Sequence, residues 1–513
     1  MKTNILSLLA LAGLITFAGC ASDDTANKQT EQEPGTEGLT SFVEEDQATR
    51  TTGEYDGSGL NFYWTAGDRL WVNTGTATSP VLTQDSQNNI ASKLENNPAN
   101  ASAVKRAAKA KFYFAGTFTA SSYPVRYTGK NGAKDKVTIK AAQSQTIPND
   151  ASHIGEDGDF GVATATKPVG GGAYAFTLDH KAAYVTFMPY TNQGVVAGAK
   201  IQKIRVFTGN ASDALAGTFD LADDGTLSNP ASTSNSVELA VNNFAIPSTS
   251  TYATNAATMV VNPGTYNNVS IEYTLHDPVT NVTGTITKTY PSVTFTAGRN
   301  KKVHTDLQVK VYPQDGYYMW DAAEGQHYWA GHLDSDGKPD GNYPQNDSDP
   351  RWYRIFTSTP NDPAMRSAKD CPNVNELIWY CMQGDPHWND ELWATLGHLY
   401  GGGMWFKKKD KIPGFTDANY NGFDYRMTGN GSFSIGNSIV TSGKPTNLSD
   451  YFYLPALGYY QGTMLHGAGT GNYWSSTPHP WALNIAFGLN FGSSGVGVSY
   501  SVSYHGFQLW RAE

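Results

Sequence analysis

Charge is scarce in this chain. Of its 513 residues, 16% are Asp, Glu, Lys or Arg, and the net charge is −10. A surface this poor in positive charge offers little to nucleic-acid phosphates, so no nucleic-acid partner is expected. Cysteine is scarcer still, at three, which excludes a scaffold built on disulfides. Past residue 20 no apolar run reaches the roughly 18 residues of a membrane-spanning helix. HExxH, GxxxxGKS/T and GxSxG patterns are missing too. With no catalytic constellation in view, neither enzymatic activity nor a cofactor is expected.

What is present points to strands. Aromatic residues make up 12% of the chain, with 52 Gly and 25 Pro, and Thr, Ser, Asn, Tyr and Val are abundant. Such a composition favours β-structure and turns over helix bundles. It is too aromatic and too poor in charge for disorder. The length exceeds what one hydrophobic core serves, so two to four domains are expected. Ten of the 12 Trp and seven of the 11 His lie in residues 313–513, which marks that segment as a different kind of domain.

Residues 1–19 read as a secretory signal, with Lys2 ahead of an apolar stretch over residues 5–17. Ala18-Gly19-Cys20 resembles a lipobox, which implies that Cys20 is acylated and becomes the mature N-terminus. The following Ala21-Ser22-Asp23-Asp24 resembles the acidic signal that sends Bacteroidetes lipoproteins to the outer face of the outer membrane. Residues 21–49 hold eight carboxylates and one Lys, with almost no large apolar group before Phe42. This reads as a solvated tether. It runs into Ala48-Thr49-Arg50-Thr51-Thr52, an exposed junction open to a trypsin-like protease; by composition alone Arg50 is a surface residue of a linker.

From residue 60 apolar residues alternate at period two. Phe62, Trp64, Leu70 and Val72 are followed by Phe112 and Phe114, then Val137 and Ile139. A Gly170-Gly171-Gly172 break precedes a second series opening with Phe176 and Leu178. Short strands between turn signals predict antiparallel sandwiches. Arg50-Thr51-Thr52, Trp64-x-x-Gly67-Asp68-Arg69-x-x-Val72, Phe176-x-Leu178-x-His180-x-x-Ala183 and Phe295-Thr296-Ala297-Gly298-Arg299 together resemble the fimbrillin-like family of Bacteroidetes pilus subunits. The resemblance covers residues 40–312. It implies two tandem transthyretin-like β-sandwiches, residues 51–174 and 175–312. It also implies cleavage between Arg50 and Thr51, which removes a strand from residues 20–50 and opens a groove for a neighbour's strand.

In residues 313–513, Asn373-x-x-Glu376 is a capping box that opens a short helix through Leu377, Trp379 and Tyr380. A Cys371–Cys381 bridge would require the chain before Asn373 to fold back, so two buried unbridged thiols are expected. Residues 496–504 place five apolar side chains on one face and Gly or Ser on the other, a strand covered on both sides. Tyr473-Trp474-Ser475-Ser476-Thr477, Ala482-x-x-Ile485-x-Phe487 and the closing Gly506-Phe507-x-x-x-Arg511 resemble the FISUMP family. This family is related to the C-type-lectin fold, and the resemblance implies an α+β, lectin-like domain.

Asp334, Asp336 and Asp340 are a weak calcium candidate, with a plain polar turn preferred. His387 and His398 lack a third metal ligand in register, so structural roles are expected. Trp388, Trp393 and Trp405 are candidates for stacking on a sugar, with core positions an equal reading.

The sequence thus predicts a mainly β surface lipoprotein, lipid-anchored in the outer membrane through Cys20, acting as a fimbrial tip or adhesin subunit. Its expected partners are other pilus subunits, through the N-terminal groove, and a host or bacterial surface glycan or protein, through residues 313–513. The alternative is a surface glycan-binding lipoprotein that never polymerises.

Overall fold

A computed structural model describes residues 33–44, 52–98, 104–356, 362–427 and 434–510. The chain divides into two compact units, residues 1–39 and 40–513. In the first, described from residue 33, Thr36 Oγ1 donates to the Glu33 carbonyl at 2.6 Å and closes a turn. The second is mainly β.

β1 (Thr40–Glu44) opens the second unit. β2 (Leu60–Thr65) pairs with Thr52–Tyr55 and lays Trp64 into the first core. β3 (Trp71–Asn73), β4 (Lys111–Phe114), β5 (Ser122–Tyr127), β6 (Gly161–Thr166) and β7 (Tyr174–Phe176) join β1 in one sheet. Its order is β3-β5-β6-β7-β1-β4, with short strands at both ends. β1 is therefore interior, bonded on both edges. Phe42, Trp64, Phe112, Phe114, Val125, Tyr127 and Tyr174 build the core beneath it.

The second core lies under β8 (Lys200–Thr208), β9 (Ser236–Ala245), β10 (Gly264–Asp277) and β11 (Val282–Phe295). The order is β9-β8-β10-β11, antiparallel throughout, with Ala142–Gln145 parallel to β9 at the near edge. Two expectations need correction here. Phe176 and Leu178 bury in the first core, not the second, while Val137 and Ile139 bury in the second. The reason is the Gly170–Gly172 break. All three glycines have positive φ, which a chain of L side chains avoids. They make a turn from β6 back into β7, which pair at Thr166 and Ala175. The break is a turn within one sheet, and the border expected after residue 174 falls inside β7.

The remaining chain carries α1 (Val374–Gln383), the longest helix among the described residues. Its N-terminus forms as the sequence predicts. The Asn373 side chain accepts from the Asn375 and Glu376 N–H groups, and Glu376 Oε2 accepts from the Asn373 N–H at 2.7 Å. Thr477 Oγ1 accepts the Val374 N–H at 3.0 Å, so the Tyr-Trp-Ser-Ser-Thr block helps seat the helix. β12 (His387–Thr395), β13 (His398–Lys407) and β14 (Tyr451–Pro455) form one antiparallel sheet. β15 (Gly471–Pro478), β16 (Ile485–Gly492) and β17 (Gly495–Val502) form another.

The β12–β13 hairpin is fastened to the second sandwich. Leu392, Ala394 and Leu399 extend that core. The Leu399 N–H donates to the Asp277 carboxylate at 2.9 Å, and Thr280 Oγ1 donates to the Leu399 carbonyl at 2.8 Å.

The strand expected over residues 496–504 is also corrected. β17 ends at Val502, short of Tyr504, and lies between β16 and Ile435–Asn437, but only Val496 and Val498 are buried among the five apolar residues of 496–504. Val502 is half-buried, and Tyr500 and Tyr504 are 37% and 39% exposed. The core against α1 covers only the first half of the strand, and the chain turns away after Val502.

Candidate functional site: the groove filled by β1

The Thr40-Ser41-Phe42-Val43-Glu44 segment alternates, and its Thr and Val favour extended backbone. Phe42 and Glu44 point inward and are buried; Ser41 and Val43 lie on the other face and are half-buried. On one side β1 runs antiparallel to β4, with Phe42 opposite Phe112. On the other it runs parallel to β7, with Phe42 opposite Tyr174 and Glu44 opposite Phe176.

Phe42 sits in an aromatic cage. Its ring stacks on Tyr174 at 4.7 Å and 12°, and meets Phe114 at 4.9 Å and Phe118 at 5.4 Å edge-on. Edge-to-face and offset pairs of this kind add stabilisation beyond the buried area. Tyr174 is held in turn by its hydroxyl, which donates to the Ala120 carbonyl at 2.6 Å.

Glu44 carries the one inward carboxylate of β1, and the buried Trp64 indole N–H donates to it. The Trp64-x-x-Gly67-Asp68 motif places that indole. Gly67 turns the chain at φ +90°. The fully buried Asp68 carboxylate accepts from the Thr65 N–H at 2.7 Å and from the Tyr127 hydroxyl at 2.9 Å. Tyr127 then meets Trp64 edge-on at 5.7 Å.

Without β1 the sheet would have a slot between β4 and β7, floored by aromatic rings and edged on both sides by unpaired backbone groups. Such a slot binds extended chain by β-augmentation: ladders give affinity and the floor selects side chains. Arg50 and Thr51, the expected cleavage pair, and Cys20, the expected lipidation site, lie outside the described residues.

The structure does not gather the C-terminal candidates into one place. Trp388 is buried in the core with α1, and Trp393 is buried elsewhere, stacked on Tyr400 at 5.1 Å. Their indole N–H groups donate to Asp390 and to the Gly402 carbonyl. Trp405 is half-buried against Tyr453 at 5.1 Å, and neither its N–H nor the Tyr453 hydroxyl has a hydrogen-bond partner among the described residues. Asp334 accepts the N–H groups of Asp336 and Lys338, whereas Asp340 bonds His332 at 2.9 Å. Among the described residues no group of three His, Cys, Asp or Glu is placed to hold a metal ion. His387 pairs with Asp385 and His398 with Asp277.

Cys371 and Cys381 are both buried and unbridged. Burial pushes the Cys381 thiol up to about 12. Only a thiolate reacts readily with alkylating agents, so iodoacetamide at pH 8 is expected to leave Cys381 unmodified in the folded chain and to modify it in denaturant. Peptide mass mapping checks this.

Sequence reasoning placed Phe42 on the edge of the tether but missed the pairing of Glu44 with Trp64. The available signal was an acidic residue two places after an aromatic one in a short alternating run.

No family model matches the chain, and no curated protein matches it. Solved structures similar to it include a Bacteroides ovatus protein named for cell adhesion, 13% identical, covering 52% of this chain and 91% of that one at a TM-score of 0.29. A fimbrial assembly protein from Parabacteroides distasonis is 11% identical, with coverages of 52% and 90% and a TM-score of 0.27. The fimbrial anchor protein Mfa2 from Porphyromonas gingivalis is 12% identical, with coverages of 48% and 82% and a TM-score of 0.19.

Proposed function

We propose that this chain is a fimbrial subunit of the bacterial surface that polymerises by strand exchange at the β1 groove. The observation that carries the reading is the place of β1: the segment just before Arg50 fills an interior position of the first sheet. A protease cutting between Arg50 and Thr51 would detach β1 from the body of the protein, and a neighbouring subunit's strand would take its place. The chain is exported as a lipoprotein, acylated on Cys20, and displayed on the outer membrane. Residues 51–312 supply the two fimbrillin-like, transthyretin-like sandwiches, with Phe176 and Leu178 belonging to the first core, and residues 313–513 serve as a lectin-like ligand-binding domain.

A tip position in the fibre is part of this proposal, and the packing of residues 495–510 supports it. β17 is paired with β16 along its length and with Ile435–Asn437 over Val496–Val498, Phe507 stacks on Trp474 at 4.2 Å, and Trp510 is buried with Tyr380 and Tyr473. Pulling out residues 495–510 would expose Val496, Val498, Phe507 and Trp510, each worth about 1.5–3 kcal/mol when buried, a loss comparable to a domain's whole usual margin. This segment is not a free donor, which suits a tip subunit. Immunogold labelling of residues 313–513 is expected at fibre ends. Gold along the shaft would contradict the tip position, and gold absent from fibres altogether would contradict the fimbrial reading.

A further inference from the structure

Glu44 is the unusual member of β1. It lies 1% exposed on the strand that sends Phe42 into the first core, where Asp68 is a second buried carboxylate, held by Tyr127. Trp64 is fully buried beside it, so its indole N–H cannot turn to water and finds its acceptor on β1, a strand of a different sheet. A leucine in place of Glu44 would add apolar contact but leave that N–H unmet, and an unmet buried donor cancels a gain of this size. Two residues earlier, on the same side, Phe42 fills the cage of Phe114, Phe118 and Tyr174.

We infer that the groove selects its incoming strand at two positions: an aromatic side chain at the Phe42 register, and a carboxylate or amide acceptor two residues further on. The partner is a segment of another subunit that carries aromatic-x-acid and runs as β1 runs, parallel to β7 and antiparallel to β4. This rests on the strand-exchange reading and adds to it the chemistry by which one subunit recognises the next. β1 already shows that sequence, so the chain holds in its own groove a copy of what the groove accepts.

The test uses the full chain cut after Arg50 and freed of the released segment. Fluorescent peptides of residues 36–49 are titrated and followed by anisotropy. The native peptide binds, and Glu44→Gln binds within about threefold because the amide oxygen still accepts. Glu44→Leu binds roughly tenfold or more weakly despite its greater apolarity, and Phe42→Ala roughly a hundredfold or more weakly. On a Trp64→Phe chain, where no N–H needs an acceptor, the order of the Glu and Leu peptides reverses. If the Leu peptide matches the native one on the wild-type chain, the acceptor rule is overturned while the groove stands. If the native peptide does not bind at all, the strand-exchange reading falls and the rule falls with it.

Discussion

Arg50→Ala is expected to remove this protein from sheared surface fibres, lowering its amount there at least tenfold while leaving a full-length, membrane-bound form. The expectation follows from effective concentration. While the chain is uncut, β1 faces its groove at an effective concentration on the order of millimolar, set by the short connection between them. A strand offered by another subunit at micromolar levels would compete at a disadvantage of about a thousandfold. Cutting at Arg50 removes the advantage, because β1 then dissociates like any other peptide. Quantitative blotting of fibre and membrane fractions checks the result. Arg50→Ala protein found in fibres at wild-type levels would show that β1 need not be released.

Phe42→Ala should act in the opposite direction, loosening the plug before any cut. Phe42 is fully buried and meets three aromatic rings. Truncating a buried Phe to Ala costs about 3–5 kcal/mol, because transfer energy is lost and a cavity remains. A five-residue strand has few other contacts to absorb this, so β1 should open locally before the whole chain unfolds. Hydrogen exchange is expected to accelerate a hundredfold or more at the backbone amides of Lys111–Phe114 and Tyr174–Phe176, the strands that flank β1. The β8–β11 sheet should keep its protection. Unchanged exchange in the flanking strands would mean that Phe42 is not what holds β1.

What the sequence revealed and what it hid divide along the range of the interactions. The capping box at Asn373 was legible because its partners lie within three residues. The buried, unbridged Cys381 was legible because helix geometry makes a bridge to Cys371 awkward. The Gly170–Gly172 break was seen but misassigned, since glycine marks a turn without saying whether the strands on either side share a sheet. Residues 496–504 alternate at period two along their whole length, yet the covering core ends halfway, and periodicity cannot report where a neighbour stops. β1 was expected only through the family resemblance, as a strand somewhere in residues 20–50, and not from its own residues. Its parallel partner β7 lies some 130 residues away in the chain, and no local pattern announces such a pairing. The two inward residues Phe42 and Glu44 are too few for a periodic signal, and the Glu reads as part of the acidic tether until Trp64 is seen beside it.

The central claim is that β1 leaves its groove when the subunit enters the fibre. Intact mass measurement of the protein recovered from sheared fibres under native conditions tests it most directly. The expected mass is that of a chain beginning at Thr51 with no peptide from residues 20–50 attached. A chain beginning at acylated Cys20, or a chain cut after Arg50 that still carries residues 40–44 bound, would contradict it.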